Sequence, residues 1–99
     1  QAFGSKLDDK HAGTMGNIGC FSLNPMKPLG ALGDAGVILT SCKKTYNKLK
    51  ALRCNGLDEN KRCIYKSFNA KIDSLQASFL NIQLETLDKT IIKRTKYAK

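Results

Sequence analysis

The 99 residues, 41% hydrophobic and 25% charged, have the composition of an ordinary soluble globular chain, long enough for one modest core. No apolar run approaches the roughly 18 residues of a membrane span, and no basic-then-apolar leader opens the chain, so neither a membrane protein nor a visible secretory signal is expected. The net charge of +9 lies wholly in one half: residues 1–40 balance three basic against three acidic groups, while residues 41–99 carry 14 basic and 5 acidic.

From Gln1 to Met15 the chain is polar, is broken by Gly4 and Gly13, and reads mainly as loop. Asn17 to Ser22 is a short apolar run with the look of a buried strand. Pro25 and Pro28 then bracket Met26 and Lys27 and exclude a regular helix or a central strand there. Gly30, Gly33 and Gly36 follow at intervals of three, and Gly36 to Thr40, β-branched and apolar, is the best strand of the chain. A helix is expected from about Ser41 to Cys54, with Asn55-Gly56 as its stop. Leu57 to Ser67 reads as a mobile polar connection. Asp73-Ser74-Leu75-Gln76 has the form of a capping box, in which Asp73 accepts from the first free amides while Gln76 reaches back. The helix it opens carries Leu80, Leu84, Leu87 and Ile91 at helical spacing, widened by Leu75, Phe79 and Ile82, and extends into the 90s. The order is α/β, with too few strands for a complete sheet, so Val37 to Leu39 are expected to be half uncovered and the chain reads as a slice of something larger. Gln1 is not a natural start, and an upstream segment is expected.

The basic excess falls on the helical half, where a solvated face explains it best. Phosphate attraction is the sharper reading, met as well by an anionic sugar nucleotide as by RNA or DNA. No aromatic recognition motif accompanies the charge, and no nucleic-acid partner is expected. Cys20, Cys42, Cys54 and Cys63 form no Cys-x-x-Cys pair, and His11 is the one histidine, so no metal site is expected. Buried or half-buried free thiols in a reducing cytoplasm suit them better than two disulfides.

Ser22 and Lys27 place a hydroxyl and an amine on a strand end and the proline-bound turn after it. Covalent chemistry on a carbonyl needs an amine held rigidly and partly deprotonated, and the hydroxyl could hold a phosphate oxygen. By spacing alone, a lysine between prolines is more often an exposed turn residue. The glycine series matches neither dinucleotide nor phosphate-loop patterns and precedes a strand where both of those follow one. Asp8-Asp9 and His11 read as solvated loop residues.

The stretch Gly13-Thr14-Met15-Gly16-Asn17-Ile18-Gly19-Cys20-Phe21-Ser22-Leu23-Asn24-Pro25-Met26-Lys27-Pro28, running on through Leu29-Gly30-Ala31-Leu32-Gly33-Asp34-Ala35-Gly36, resembles the active-site segment of the DegT-type sugar aminotransferases. In that family a Ser-aromatic-x-Pro-x-Lys stretch is followed by a Gly-rich loop and a strand. Leu52-Arg53-Cys54-Asn55-Gly56 is similar to the family's Leu-Arg-x-x-Gly, and Asn69-Ala70-Lys71-Ile72-Asp73-Ser74-Leu75-Gln76-Ala77 to its Asn-x-Arg-x-Asp-x-x-Gln-Ala. Gln1-Ala2-Phe3-Gly4 looks like the Gln-Ala-x-Gly that ends its Asp-x-x-Gln motif. The likeness runs along nearly the whole chain, in order.

The resemblance implies a fold type I, pyridoxal-phosphate-dependent aminotransferase. Residues 1–68 would form the end of its large cofactor-binding domain, and 69–99 the start of the small C-terminal domain. Lys27 matches the catalytic lysine that holds pyridoxal 5'-phosphate as an imine and later shuttles a proton. Ser22 matches a hydroxyl ligand of the cofactor phosphate, and Gln1 a glutamine near the cofactor ring and its phenolic oxygen. Asn69 matches an asparagine that reaches the phosphate of the neighbouring subunit, which implies a homodimer. A nucleotide-linked keto-sugar, glutamate as amino donor, a cytoplasmic location and a role in polysaccharide biosynthesis follow from the same likeness. Residues 29–36 look closest to members that aminate 3-keto-6-deoxy sugars. Leu23 stands where the family usually has Phe, Asn24 where it has Tyr or His, and Lys71 where Arg is common, which loses the bidentate fork. The carboxylate partner of the cofactor's ring nitrogen would lie three residues before Gln1, so the 99 residues by themselves are expected to be inactive. Two alternatives stand beside the aminotransferase: a sugar dehydratase of the same family, whose members carry His at the position of Lys27, and a non-catalytic basic binding domain.

Overall fold

The computed structural model describes residues 1–98. Its first element departs from the expected loop: Lys6–Leu7 (β1) and Lys10–His11 (β2) pair antiparallel around Asp8 and Asp9. Both aspartates adopt positive φ (47° and 61°), the left-handed geometry that a two-residue turn needs to match the strand twist. Aspartate tolerates that region through local hydrogen bonding, so the Asp-Asp pair makes the turn without glycine.

The expected strands form at Gly19–Ser22 (β3) and Gly36–Leu39 (β4), paired antiparallel with Cys20 opposite Ile38 and Phe21 opposite Val37. Side chains alternate across the ladder. Phe21, Val37 and Leu39 are half-buried on one face, while Cys20 and Ile38 stand exposed on the other. A two-stranded sheet has nothing to lay on its second face, and Val37 to Leu39 are half uncovered as the sequence implied. Phe3 meets the Phe21 ring edge-on, with centroids 5.0 Å apart.

The core lies under the loop that joins these strands. Leu23, Leu29 and Ala31 from the loop are buried together with Leu80, and Phe3, Ala35, Val37 and Leu87 pack around them. Helix α1 spans Lys43–Arg53 and ends where Asn55-Gly56 predicts. Asn55 takes φ 54°, and the Gly56 N–H donates to the Ala51 carbonyl at 2.9 Å, closing the last turn. Gly56 (φ 71°) could not be another residue without strain, because a Cβ there would strike the Tyr65 carbonyl. The Leu52 carbonyl freed at the helix end accepts from the Ser67 hydroxyl, and the Arg53 carbonyl from the Ala70 N–H at 2.9 Å. The connection read as mobile is therefore a hydrogen-bonded loop, fixed also by Asp58, whose carboxylate accepts from the Asn60 and Arg62 amides and pairs with the Arg62 guanidinium.

Helix α2 runs Ser74–Tyr97, as the periodicity predicts. Its start differs from the expected capping box. Asp73 is the N-cap, but its side chain makes no capping hydrogen bond, and Gln76 does not reach back. The Gln76 amide turns instead to the loop before β4. Of the apolar stripe, Leu80 is buried and Phe79, Leu87 and Ile91 are half-buried, while Leu75, Ile82 and Leu84 are exposed. The thiols also differ from expectation. All four cysteines are free, but Cys20, Cys42 and Cys63 are exposed and Cys54 half-buried, because the faces that carry them have no covering layer. The basic residues of α1 are solvated, with Lys43 and Lys48 also lying over the rings of Tyr46 and Tyr65 at 5.0 and 5.6 Å. No helix among the described residues is long and apolar enough to cross a membrane.

Candidate active site

Lys27 sits on a turn that leaves β3 at Ser22 and is closed by Asn24. The Asn24 carbonyl accepts from the Lys27 N–H at 2.9 Å, and its side-chain Oδ1 accepts from the Met26 N–H at 3.1 Å. The Asn24 N–H in turn donates to Ser22 Oγ at 3.3 Å. Proline at 25 and 28 removes two donors that an irregular turn would struggle to satisfy and presets two φ angles. Beneath the turn, the Leu23 N–H donates to the Ala35 carbonyl at 2.8 Å and the Ala31 N–H to the Leu23 carbonyl at 2.7 Å. Those bonds place buried Leu23 and Leu29 as the floor on which the turn rests. Gly30 allows the closure, since a Cβ there would lie 2.6 Å from the Pro25 carbonyl oxygen.

Among the described residues the Lys27 amine forms no ion pair and the Ser22 hydroxyl donates no hydrogen bond. Lys27 is half-buried and lines an open depression of about 330 Å³, whose far wall is Phe79 and Gln83 of α2. A hydroxyl with its hydrogen uncommitted, and an amine whose backbone is held to the same asparagine, suit a ligand that bears both a phosphate and a carbonyl. Gln1 and Asn69 are not brought to this turn by any hydrogen bond among the described residues. Gln1 is exposed, and Asn69 lies where the chain pairs with Cys54 after α1, its Oδ1 accepting from the Lys71 N–H at 3.4 Å. Away from the turn, the exposed Cys42 thiol at the start of α1 is shifted below its ordinary range by the Thr45 hydroxyl and then by the Thr45 and Lys44 amides, although none reaches capping geometry.

The sequence did not bring Asn24, Asp34 and Gln76 together, and the structure does, beside the Lys27 turn. Asn24 Nδ2 donates to Asp34 Oδ1 at 2.9 Å, Gln76 Oε1 accepts from the Gly33 N–H at 3.0 Å, and Gln76 Nε2 donates to the Asp34 carbonyl at 3.5 Å. The sequence signals were an asparagine at a position where the resembling family carries an aromatic or histidine, and Gln76 within the Asn-x-Arg-x-Asp-x-x-Gln-Ala motif.

A family model described as the DegT/DnrJ/EryC1/StrS aminotransferase family matches residues 1–99. The chain belongs to that family. It is 34% identical over 87 residues to a UDP-N-acetyl-3-dehydro-alpha-D-glucosamine 3-aminotransferase of Acidithiobacillus ferrooxidans, covering 88% of this chain and 24% of that protein. It is 35% identical over 99 residues to a dTDP-3-amino-3,4,6-trideoxy-alpha-D-glucose transaminase of Micromonospora megalomicea subsp. nigra, covering 95% of this chain and 25% of the relative. The chain thus spans about a quarter of the length of these curated relatives. Among solved structures, a DegT DnrJ EryC1 StrS aminotransferase from Brucella abortus superposes with a TM-score of 0.80 at 29% identity, over 83% of this chain and 22% of that one. The α/β arrangement of two short hairpins, a helix and a long second helix is therefore that of a segment of a fold type I aminotransferase.

Proposed function

We propose that this chain forms the lysine-bearing part of an enzyme that transfers an amino group, with glutamate as donor, to a keto-sugar carried on a nucleotide. The reading rests on family membership and on one observation: the Ser22 hydroxyl, as acceptor, and the Lys27 backbone N–H are tied to the same asparagine, with the hydroxyl's hydrogen and the Lys27 amine uncommitted among the described residues. Pyridoxal phosphate, when bound, supplies the carbonyl that takes up an amine and the ring that accepts the electron pair released at the substrate carbon. Lys27 Nζ would hold that cofactor covalently and, once displaced, move a proton at the reacting carbon. Ser22 Oγ would donate to the phosphate, Asn69 would reach the phosphate of a neighbouring subunit in a homodimer, and Gln1 would stand at the ring's phenolic oxygen. The prolines and the buried floor would keep Nζ in one place, which is how an enzyme lowers the entropic part of the barrier.

Residues 1–68 are assigned to the large domain and 69–99 to the start of the small one. On that division Gln76 and Leu80 are contacts between domains, since both pack on the loop that carries Lys27. A cytoplasmic location and a role in polysaccharide biosynthesis accompany the proposal, in keeping with the nucleotide-sugar names of the relatives. Borohydride reduction of the full-length protein with its cofactor, followed by peptide mapping, is expected to place the pyridoxyl group on Lys27, and Lys27→Ala to abolish amino transfer. Label on another lysine sinks the proposal.

A further inference from the structure

Two side-chain amides connect α2 to the turn that carries Lys27. The Gln76 amide holds residues 33 and 34 from the helix side, with Oε1 accepting from the Gly33 N–H at 3.0 Å and Nε2 donating to the Asp34 carbonyl at 3.5 Å. The Asn24 amide holds the same Asp34 from the turn side, through Nδ2 to Oδ1 at 2.9 Å, while its own Oδ1 accepts from the Met26 N–H at 3.1 Å. We propose that Gln76, Asp34 and Asn24 form a relay of positioning residues that sets where the Lys27 amine stands.

The inference rests on the reading of Lys27 given above, and its geometry has a direction. Each amide uses one end as acceptor and the other as donor, so each fixes the plane and not only the distance of what it holds. A carboxylate oxygen accepts, so the Asn24 N–H is the matching end of the amide for Asp34 Oδ1. Without that bond the Asn24 side chain could turn away and release the Met26 amide. The Lys27 backbone would then be held by its single bond to the Asn24 carbonyl. The three act through the turn: Asn24 bonds its backbone at Met26, Asn24 and Asp34 bond each other, and Gln76 bonds residues 33 and 34. The relay also couples the start of α2 to the turn, so a displacement of that helix would be felt at Lys27.

The test uses the full-length protein. Asn24→Asp sets two carboxylates against each other. It is expected to speed hydrogen exchange at the Met26 and Lys27 amides in the cofactor-free protein, and to lower kcat about tenfold with KM for the amino donor nearly unchanged. The double variant Asn24→Asp/Asp34→Asn restores one donor facing one acceptor and is expected to return both readouts towards those of the unaltered protein. Gln76→Glu keeps the acceptor for Gly33 and loses the donor for Asp34. It is expected to speed the same two amides, and it decides the matter should Asn24→Asp fail to fold. Unchanged exchange in these single variants, or a double variant as impaired as Asn24→Asp alone, overturns the relay. Exchange in the cofactor-free protein is independent of where the pyridoxyl group attaches, so failure of the relay and failure of the functional reading are told apart.

Discussion

Residues 22–36 and residues 83–97 are stretches of equal length held in place by opposite means. The first, apart from its paired ends Ser22 and Gly36, has no repeating structure, yet it contributes Leu23, Leu29 and Ala31 to the buried core, and its backbone is tied within itself and to α2. The second is a regular helix in which no residue is buried; Ile92 is 68% and Tyr97 83% exposed. A helix satisfies its own amides and carbonyls wherever it lies, so α2 can extend past its last half-buried contacts, Leu87 and Ile91, into an exposed end. An irregular loop has no such internal solution, and each polar group must find a specific partner or water. The loop is for that reason the better carrier for a lysine whose position must be kept.

That contrast can be broken in three places. Leu29→Ala empties part of the floor beneath the turn, and a fall of about 2–4 kcal/mol in unfolding free energy is expected. Urea denaturation measures it, and a loss below about 1 kcal/mol would show that the loop is not what the core depends on. Gly30→Ala keeps the core side chains but pushes a methyl group at the Pro25 carbonyl, with an expected cost of about 1–3 kcal/mol. The same variant in the full-length protein should slow attachment of pyridoxal phosphate to Lys27, read by reductive labelling; labelling at the unaltered rate would mean that the turn tolerates the shift. Ile92→Lys should change the stability of the 99-residue chain by no more than about 0.5 kcal/mol. A larger drop would mean that the end of α2 has a packing partner within the chain that its exposure does not reveal.

The extended strands and both helices were legible because each rests on a local, repeating signal: β-branched residues in Gly36 to Leu39, a glycine stop at Asn55-Gly56, and leucines at helical spacing from Leu80 onward. Two local readings failed for one reason. The Asp73 to Gln76 pattern is a capping box only when no better partner competes for the Gln76 amide, and the Gly33-Asp34 backbone does. Leu57 to Ser67 looked loose because its composition is polar, but the polar groups of Asp58 and Ser67 are what tie it down. The β1–β2 hairpin was missed because its turn uses two aspartates in the left-handed region where glycine or asparagine is the familiar signal.

By itself the sequence determined the order of β3, β4, α1 and α2, the irregular turn between Pro25 and Pro28, the glycine-paced approach to β4, and a lysine and a serine at spacings that a chemical site could use. Those are properties of neighbours along the chain, set by ring constraints, backbone freedom and periodicity. Only the tertiary structure decided which groups were left free and which were occupied. Hydrogen-bond partners far apart in sequence compete by geometry alone: the Gln76 amide leaves its own helix for the loop 43 positions away and Asp34 takes the Asn24 amide, while among the described residues the Lys27 amine forms no ion pair and the Ser22 hydroxyl, which accepts from the Asn24 N–H, donates to nothing.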